Sequence, residues 1–256
     1  MESAVIESNG FRYLDEGTGE PLVILHGLFG ALSNFNSVRS HFSKRFRVLT
    51  PMLPIYELPL RKTSAKEIAN HIKGFVDHLA LEKVHLLGNS LGGHVGLIFT
   101  KNHLERVASL TLTASSGLYE NAFGNSFPRR EDKEYIRNKV AVTFHDPKHA
   151  TDELVEECFE AVNDRNKILR ILSIAKSAIR HNMEDDLPNM DIPACVIWGR
   201  NDIVTPPDVA ELFHAKLPDS DLFWIDKCGH APMMEHPEEF NVVLEKWYDA
   251  RGISKS

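Results

Sequence analysis

An α/β fold, a mainly parallel sheet with helices on both faces, is the class this sequence predicts, and three observations predict it. Short apolar runs alternate with amphipathic helical stretches in both the first and the last part of the chain. The runs at residues 22–25 and 84–87 lack a regular apolar/polar alternation, as expected of strands buried on both faces. That rhythm fails from about residue 118 to about residue 186, where no convincing strand occurs and helical spacing takes over. The division expected is a core of residues 1–117 and 187–256, with an all-helical insertion, residues 118–186, after the sixth strand. A chain of 256 residues is long enough for one such core.

Taken in order, residues 11–14 and 22–25 read as early strands, the second preceded by Pro21. His26-Gly27-Leu28-Phe29-Gly30 follows at once, then a short helix over about 33–43 and a strand over 46–50. The run MLPIYELP after Pro51 is irregular and proline-rich, so a loop is expected there. Ser64 and Glu67 form a capping box ahead of Ile68, Ile72, Phe75, Val76 and Leu79, which repeat at helical spacing. Residues 84–87 form a strand that stops at Gly88, and Leu91, Val95, Ile98 and Phe99 continue as a helix. Residues 107–113 give another strand. In the insertion, helices are clearest over 151–162 and 168–179. Alternation resumes with a strand at 194–198, a helix at 209–216, a strand at 222–225 and a last helix over 238–248.

Composition narrows the function classes. A formal charge of −7 without any basic run argues against general affinity for nucleic acid or an anionic membrane. The start, MESAVIESNG, has neither the basic nor the apolar segment of a secretory signal, and no run approaches membrane-span length. The three cysteines, Cys158, Cys195 and Cys228, are widely spaced and lack a C-x-x-C pair. A cytoplasmic protein is the simplest expectation. None of the 13 histidines falls in an H-E-x-x-H pattern, so no metal and no cofactor is expected. The expected partner is a small-molecule substrate, with monomer and homodimer both open.

The chemistry centres on Gly88-Asn89-Ser90-Leu91-Gly92. A serine at the tight turn from strand to helix is a nucleophile elbow, which holds the hydroxyl at the sheet edge in a strained conformation. A hydroxyl is a weak nucleophile at neutral pH and needs a base, which needs an orienting group. Asp202, in Trp198-Gly199-Arg200-Asn201-Asp202, and His230, in Cys228-Gly229-His230, each follow a strand and so reach the same sheet edge. An aspartate after a strand is usually a turn or capping residue, and a Gly-His pair is usually a plain loop. Three such residues, in the order Ser, acid, His, are much harder to obtain by accident. His85 and His94 lie within the elbow strand and the helix behind it, and His26 reads as structural. Asp226 is the runner-up acid, too near His230 in sequence. Backbone N–H groups of Leu28 and Leu91 are the candidate oxyanion donors.

Together HGLFG, GNSLGG, WGRND and KCGHAPMMEHPEEF resemble the α/β-hydrolase fold family, in its order and spacing, over residues 11–248. The resemblance implies an eight-stranded sheet, a helical cap formed by the insertion, and Ser90, His230 and Asp202 as nucleophile, base and acid. A serine at the elbow argues against the haloalkane dehalogenase and epoxide hydrolase branches. Asn34 in SNF, Asn89 and KCGH are similar to the meta-cleavage-product hydrolases, which cut carbon–carbon bonds. Two departures count against that activity: Cys158 aligns where the subfamily has a cap arginine, and Ala231 stands where it has tryptophan. Losing the arginine removes a bidentate clamp for a carboxylate. The expected function is hydrolysis of small carboxylic esters through an acyl-enzyme on Ser90. The alternatives are a carbon–carbon hydrolase of meta-cleavage type and a ligand receptor on the same fold. Asn34, Asn89, Phe123 and Phe159 are candidate substrate contacts, and Phe127, Phe144 and Ile171 could add to an apolar wall. Arg129 and Arg130 could meet an acidic group, though such a run is usually a solvated face.

Overall fold

The computed structural model describes residues 4–30, 32–119 and 129–254. Eight strands among them form one sheet: β1 (Ile6–Ser8), β2 (Phe11–Glu16), β3 (Pro21–Leu25), β4 (Arg47–Pro51), β5 (Val84–Asn89), β6 (Val107–Thr113), β7 (Ala194–Gly199) and β8 (Ser220–Ile225). Their order is β1-β2-β4-β3-β5-β6-β7-β8. The β1/β2 and β2/β4 pairs are antiparallel, and every pair from β4/β3 to β7/β8 is parallel. The described helices are α1 (Asn36–Phe42), α2 (Ala65–His78), α3 (Leu91–Asn102), α4 (Lys133–Ala141), α5 (Asp152–Asn163), α6 (Arg165–Arg180), α7 (Pro207–Lys216), α8 (Pro232–Glu235) and α9 (Pro237–Ala250).

Why β3 reads as a continuous apolar run is visible in its packing. Val23 and Leu25 join the cluster under α2, α3 and α7, while Leu22 and Ile24 join the one under α1 and α9. Both faces are therefore dry. The amphipathic helix expected after Ser64 is α2, and the Ser64 hydroxyl accepts the Glu67 N–H at 3.2 Å.

Helices α4, α5 and α6 lie between β6 and β7, and no strand is found there among the described residues. Ile136, Val140, Val155 and Cys158 join the same apolar cluster as α1 and α9. Helix α4 was not evident from the sequence. It buries only Ile136 and Val140 among its nine residues, too short an apolar pattern to stand out, and it is started by the Asp132 carboxylate accepting the Tyr135 N–H. Strand β1, three residues at the exposed edge, likewise carries no burial pattern to read. No described helix is long and apolar enough to cross a membrane.

Candidate active site

Ser90 sits between β5 and α3 with φ 53° and ψ −119°. A non-glycine residue held there costs on the order of 1–3 kcal/mol, so the surrounding structure must enforce it. The neighbouring backbone enforces it: Ser90 N–H donates to Thr113 O of β6, and Ser90 O accepts the N–H groups of His94 and Ser116. Gly92 is needed for close approach, since a Cβ there would lie 2.0 Å from Leu25 O. The Leu91 N–H opens α3, so no intrahelical carbonyl precedes it.

Asp202 follows β7 with its side chain fully buried. Oδ1 accepts the N–H groups of Val204 and Thr205 at 2.8 and 3.0 Å. Oδ2 accepts the Thr205 hydroxyl at 2.8 Å and His230 Nδ1–H at 2.9 Å. His230, 9% exposed, is thereby held as the tautomer protonated on Nδ1, which leaves Nε2 with a lone pair. Asp226, by contrast, is exposed and paired with Arg200 at 2.7 Å.

Ser90 and His230 line one cavity of about 120 Å³, together with Leu28, Asn34 and Asn89. Its opposite wall is apolar: Ile136 and Val140 of α4, Phe144, and Leu154, Cys158 and Val162 of α5. Lys139 is the only lysine or arginine among the described lining residues. A larger neighbouring cavity of about 490 Å³ shares Leu28, Phe29, Gly30 and Cys158 with the first. Burial pushes the Cys158 thiol up to about 12, so thiolate is scarce at neutral pH and Cys158 is a poor rival nucleophile.

Among the other residues singled out, Asn89 donates its amide to Thr113 O at 3.0 Å and His230 O at 3.1 Å. It ties the end of β5 to the loop of His230, with only its carbonyl oxygen left over. Phe159 is half-buried beside Lys133 and does not line the cavity; one residue is about 100° of helix rotation, and the inward position is Cys158. Ile171 packs in the apolar cluster, and Arg129 pairs with Asp132. Phe123 and Phe127 lie outside the described residues. His26 is buried, its Nδ1–H donating to Gly27 O and its Nε2 accepting from Leu53 N–H, so it braces the loop of Leu28. Burial holds its pKa below the usual histidine value. Sequence reading missed Thr205 and Glu235: their local partners, Asp202 and Gly229, form no recognisable motif with them, and the contacts of Thr205 with His230 and of Glu235 with His145 and Asp146 join segments far apart in the chain.

No group of three or more His, Cys, Asp or Glu placed to hold a metal occurs among the described residues. The profile of the Alpha/beta hydrolase family matches residues 22–243. The dihydrolipoyllysine-residue acetyltransferase component of the acetoin cleaving system of Pseudomonas putida is 30% identical over 234 residues, covering 87% of this chain and 62% of that protein. This chain thus spans under two thirds of that relative. A 2-hydroxy-6-oxononadienedioate/2-hydroxy-6-oxononatrienedioate hydrolase of Burkholderia vietnamiensis is 30% identical over 257 residues, covering 91% of this chain and 89% of that one. Among solved structures, an α/β-hydrolase enzyme from the metagenome of sediments from the lagoon of Mar Chica, Morocco, is 48% identical with a TM-score of 0.82, covering 98% of this chain and 100% of that one. The sheet order, the strained serine turn and a profile match across most of the chain agree, and this chain is a hydrolase belonging to the α/β-hydrolase family.

Proposed function

We propose that the protein is a serine hydrolase of small carboxylic esters, with Ser90 as nucleophile, His230 as base and Asp202 as the orienting acid. One observation carries the proposal: the Nδ1–H of His230 is committed to a buried Asp202, while His230 and the strained Ser90 face the same apolar cavity. In this scheme Ser90 Oγ attacks the ester carbonyl carbon as His230 Nε2 takes its proton. The oxyanion is stabilised by the N–H groups of Leu28 and Leu91. Collapse breaks the ester C–O bond, and the alcohol leaves with the proton from His230. Water then attacks the acyl-enzyme, giving its proton to His230, and the acid departs as Ser90 recovers it. Asp202 stabilises the imidazolium formed in each half. The scheme requires no cofactor. Helices α4 and α5 serve as the cap, and the small apolar cavity favours short acyl groups.

A carbon–carbon hydrolase acting on a vinylogous diketone acid is the second reading. Lys139 and Asn34 in the cavity wall favour it, as does the relative from Burkholderia vietnamiensis. Stopped-flow kinetics on p-nitrophenyl acetate, butyrate and octanoate test the first reading. Ester turnover that falls with chain length, and falls at least roughly 10³-fold in Ser90→Ala, supports it. Wild-type ester activity in Ser90→Ala overturns it. Faster turnover of a ring-fission product than of any ester gives the second reading precedence.

A further inference from the structure

The scheme above makes no use of Glu235, a carboxylate only 7% exposed at the end of α8. Its two oxygens serve two different segments. Oε1 accepts the N–H groups of His145 and Asp146 at 2.8 and 3.0 Å, and Oε2 accepts the N–H of Gly229, the residue before His230. The same segments meet again through backbone, where His230 N–H donates to Thr143 O at 2.7 Å. They are also in close contact: a Cβ on Gly229 would lie 2.6 Å from Thr143 O and 2.9 Å from His145 N. Thr143 and Phe144 line the cavity beside His230. Three backbone donors from two segments 83 or more residues apart in sequence thus converge on one buried side chain.

We infer that Glu235 is a positioning residue that clasps the 143–146 wall of the cavity to the loop of His230, so that the base and the surface facing the substrate are set as one unit. The inference rests on the assignment of His230 as base. Its physical content is the cost of losing the clasp. Glutamine keeps the shape but has one acceptor oxygen, so its NH₂ must face either the Gly229 N–H or those of His145 and Asp146. Donor then meets donor in a buried place, and one segment lets go. A displacement of about 1 Å at the base costs on the order of 10²-fold in turnover.

The test compares wild type, Glu235→Gln and Glu235→Asp, with Ser90 sites counted at the endpoint of fluorophosphonate labelling by mass spectrometry. The expected result is a kcat per labelled site on p-nitrophenyl acetate on the order of 10²-fold lower in Glu235→Gln. KM should change much less, and Glu235→Asp, which retains both oxygens, should recover part of the loss. A residue that merely supports the fold would lower the number of labelled sites or Tm and leave kcat per site at the wild-type value. That outcome in Glu235→Gln overturns the inference. Absence of ester turnover in wild type would instead defeat the ester reading, and kcat per site on the ring-fission substrate then decides the role of Glu235 by the same criterion.

Discussion

The turn of Ser90 and the loop of His230 face one cavity but are held in different ways. Ser90 is held by its own helix and the adjacent strand, through Thr113, Ser116 and His94. The His230 loop is held by Asp202, 28 residues away, by Asn89, 141 residues away, and by Thr143 and Glu235. The first is held by a few backbone contacts of the turn with its own helix and the neighbouring strand, the second by side chains and backbone from several segments of the fold. A device with few ties fails when its own turn is altered. A distributed one degrades when any of several remote ties is cut.

Cutting the tie between Asp202 and His230 should have the largest effect. In Asp202→Asn, Oδ1 can keep the N–H groups of Val204 and Thr205, and Nδ2 then donates to His230 Nδ1. The proton moves to Nε2, which can then no longer accept from Ser90. A loss of about 10⁴-fold in kcat on p-nitrophenyl butyrate is expected, with Tm little changed. Wild-type kcat in this variant would remove Asp202 from the mechanism.

Altering the local turn should instead cost stability. Gly92→Ala forces a Cβ to 2.0 Å from Leu25 O, and neither backbone can yield without moving β3 or α3. A destabilisation of about 4 kcal/mol or more in urea unfolding is expected. A fully stable Gly92→Ala protein would show that the elbow is looser than its contacts imply.

Helix α3 also carries a pH dependence. Burial, reinforced by His181, pushes the His94 imidazole down to about 4. Between that value and about 6.5 the unfolded chain binds more protons at this site, so stability is present above about pH 6.5 and is lost as pH falls towards 4. The loss is roughly 3 kcal/mol. His26, lowered by burial, acts with the same sign. Urea unfolding at pH 7 and 4.5 should show a smaller difference for His94→Leu than for wild type, and an unchanged difference would exclude His94 as a source.

The smallest effect is expected at Asn89. Asn89→Ala removes donors to two buried carbonyls, Thr113 O and His230 O. About 1–3 kcal/mol of stability should be lost. If the tie to His230 matters for function, kcat should fall further than for a matched loss of stability at a site remote from His230, such as Trp247→Phe.

How much of this was legible follows the same division. Strands β3 and β5, helix α2 with its Ser64 cap, and the elbow around Ser90 were read directly, because each is encoded by neighbours within a few residues. Asp202 and His230 were reachable because each follows a strand, and strand ends of a parallel sheet share an edge. Helix α4 was hidden, since its two buried residues give too little periodicity. That Cys158 rather than the neighbouring Phe159 lines the cavity is not legible in the sequence, because helical phase relative to a partner is not written in composition.

By itself the sequence determined the α/β class, the serine turn and the order of the residues around it. Backbone propensity, capping and hydrophobic period act over short range, and these features need nothing more. Only the tertiary structure decided that Asp202 sets the tautomer of His230, that Asn89 and Glu235 hold its loop, and that Lys139 and Cys158 line the cavity. These depend on hydrogen bonds and packing between segments whose separation in space no local pattern records.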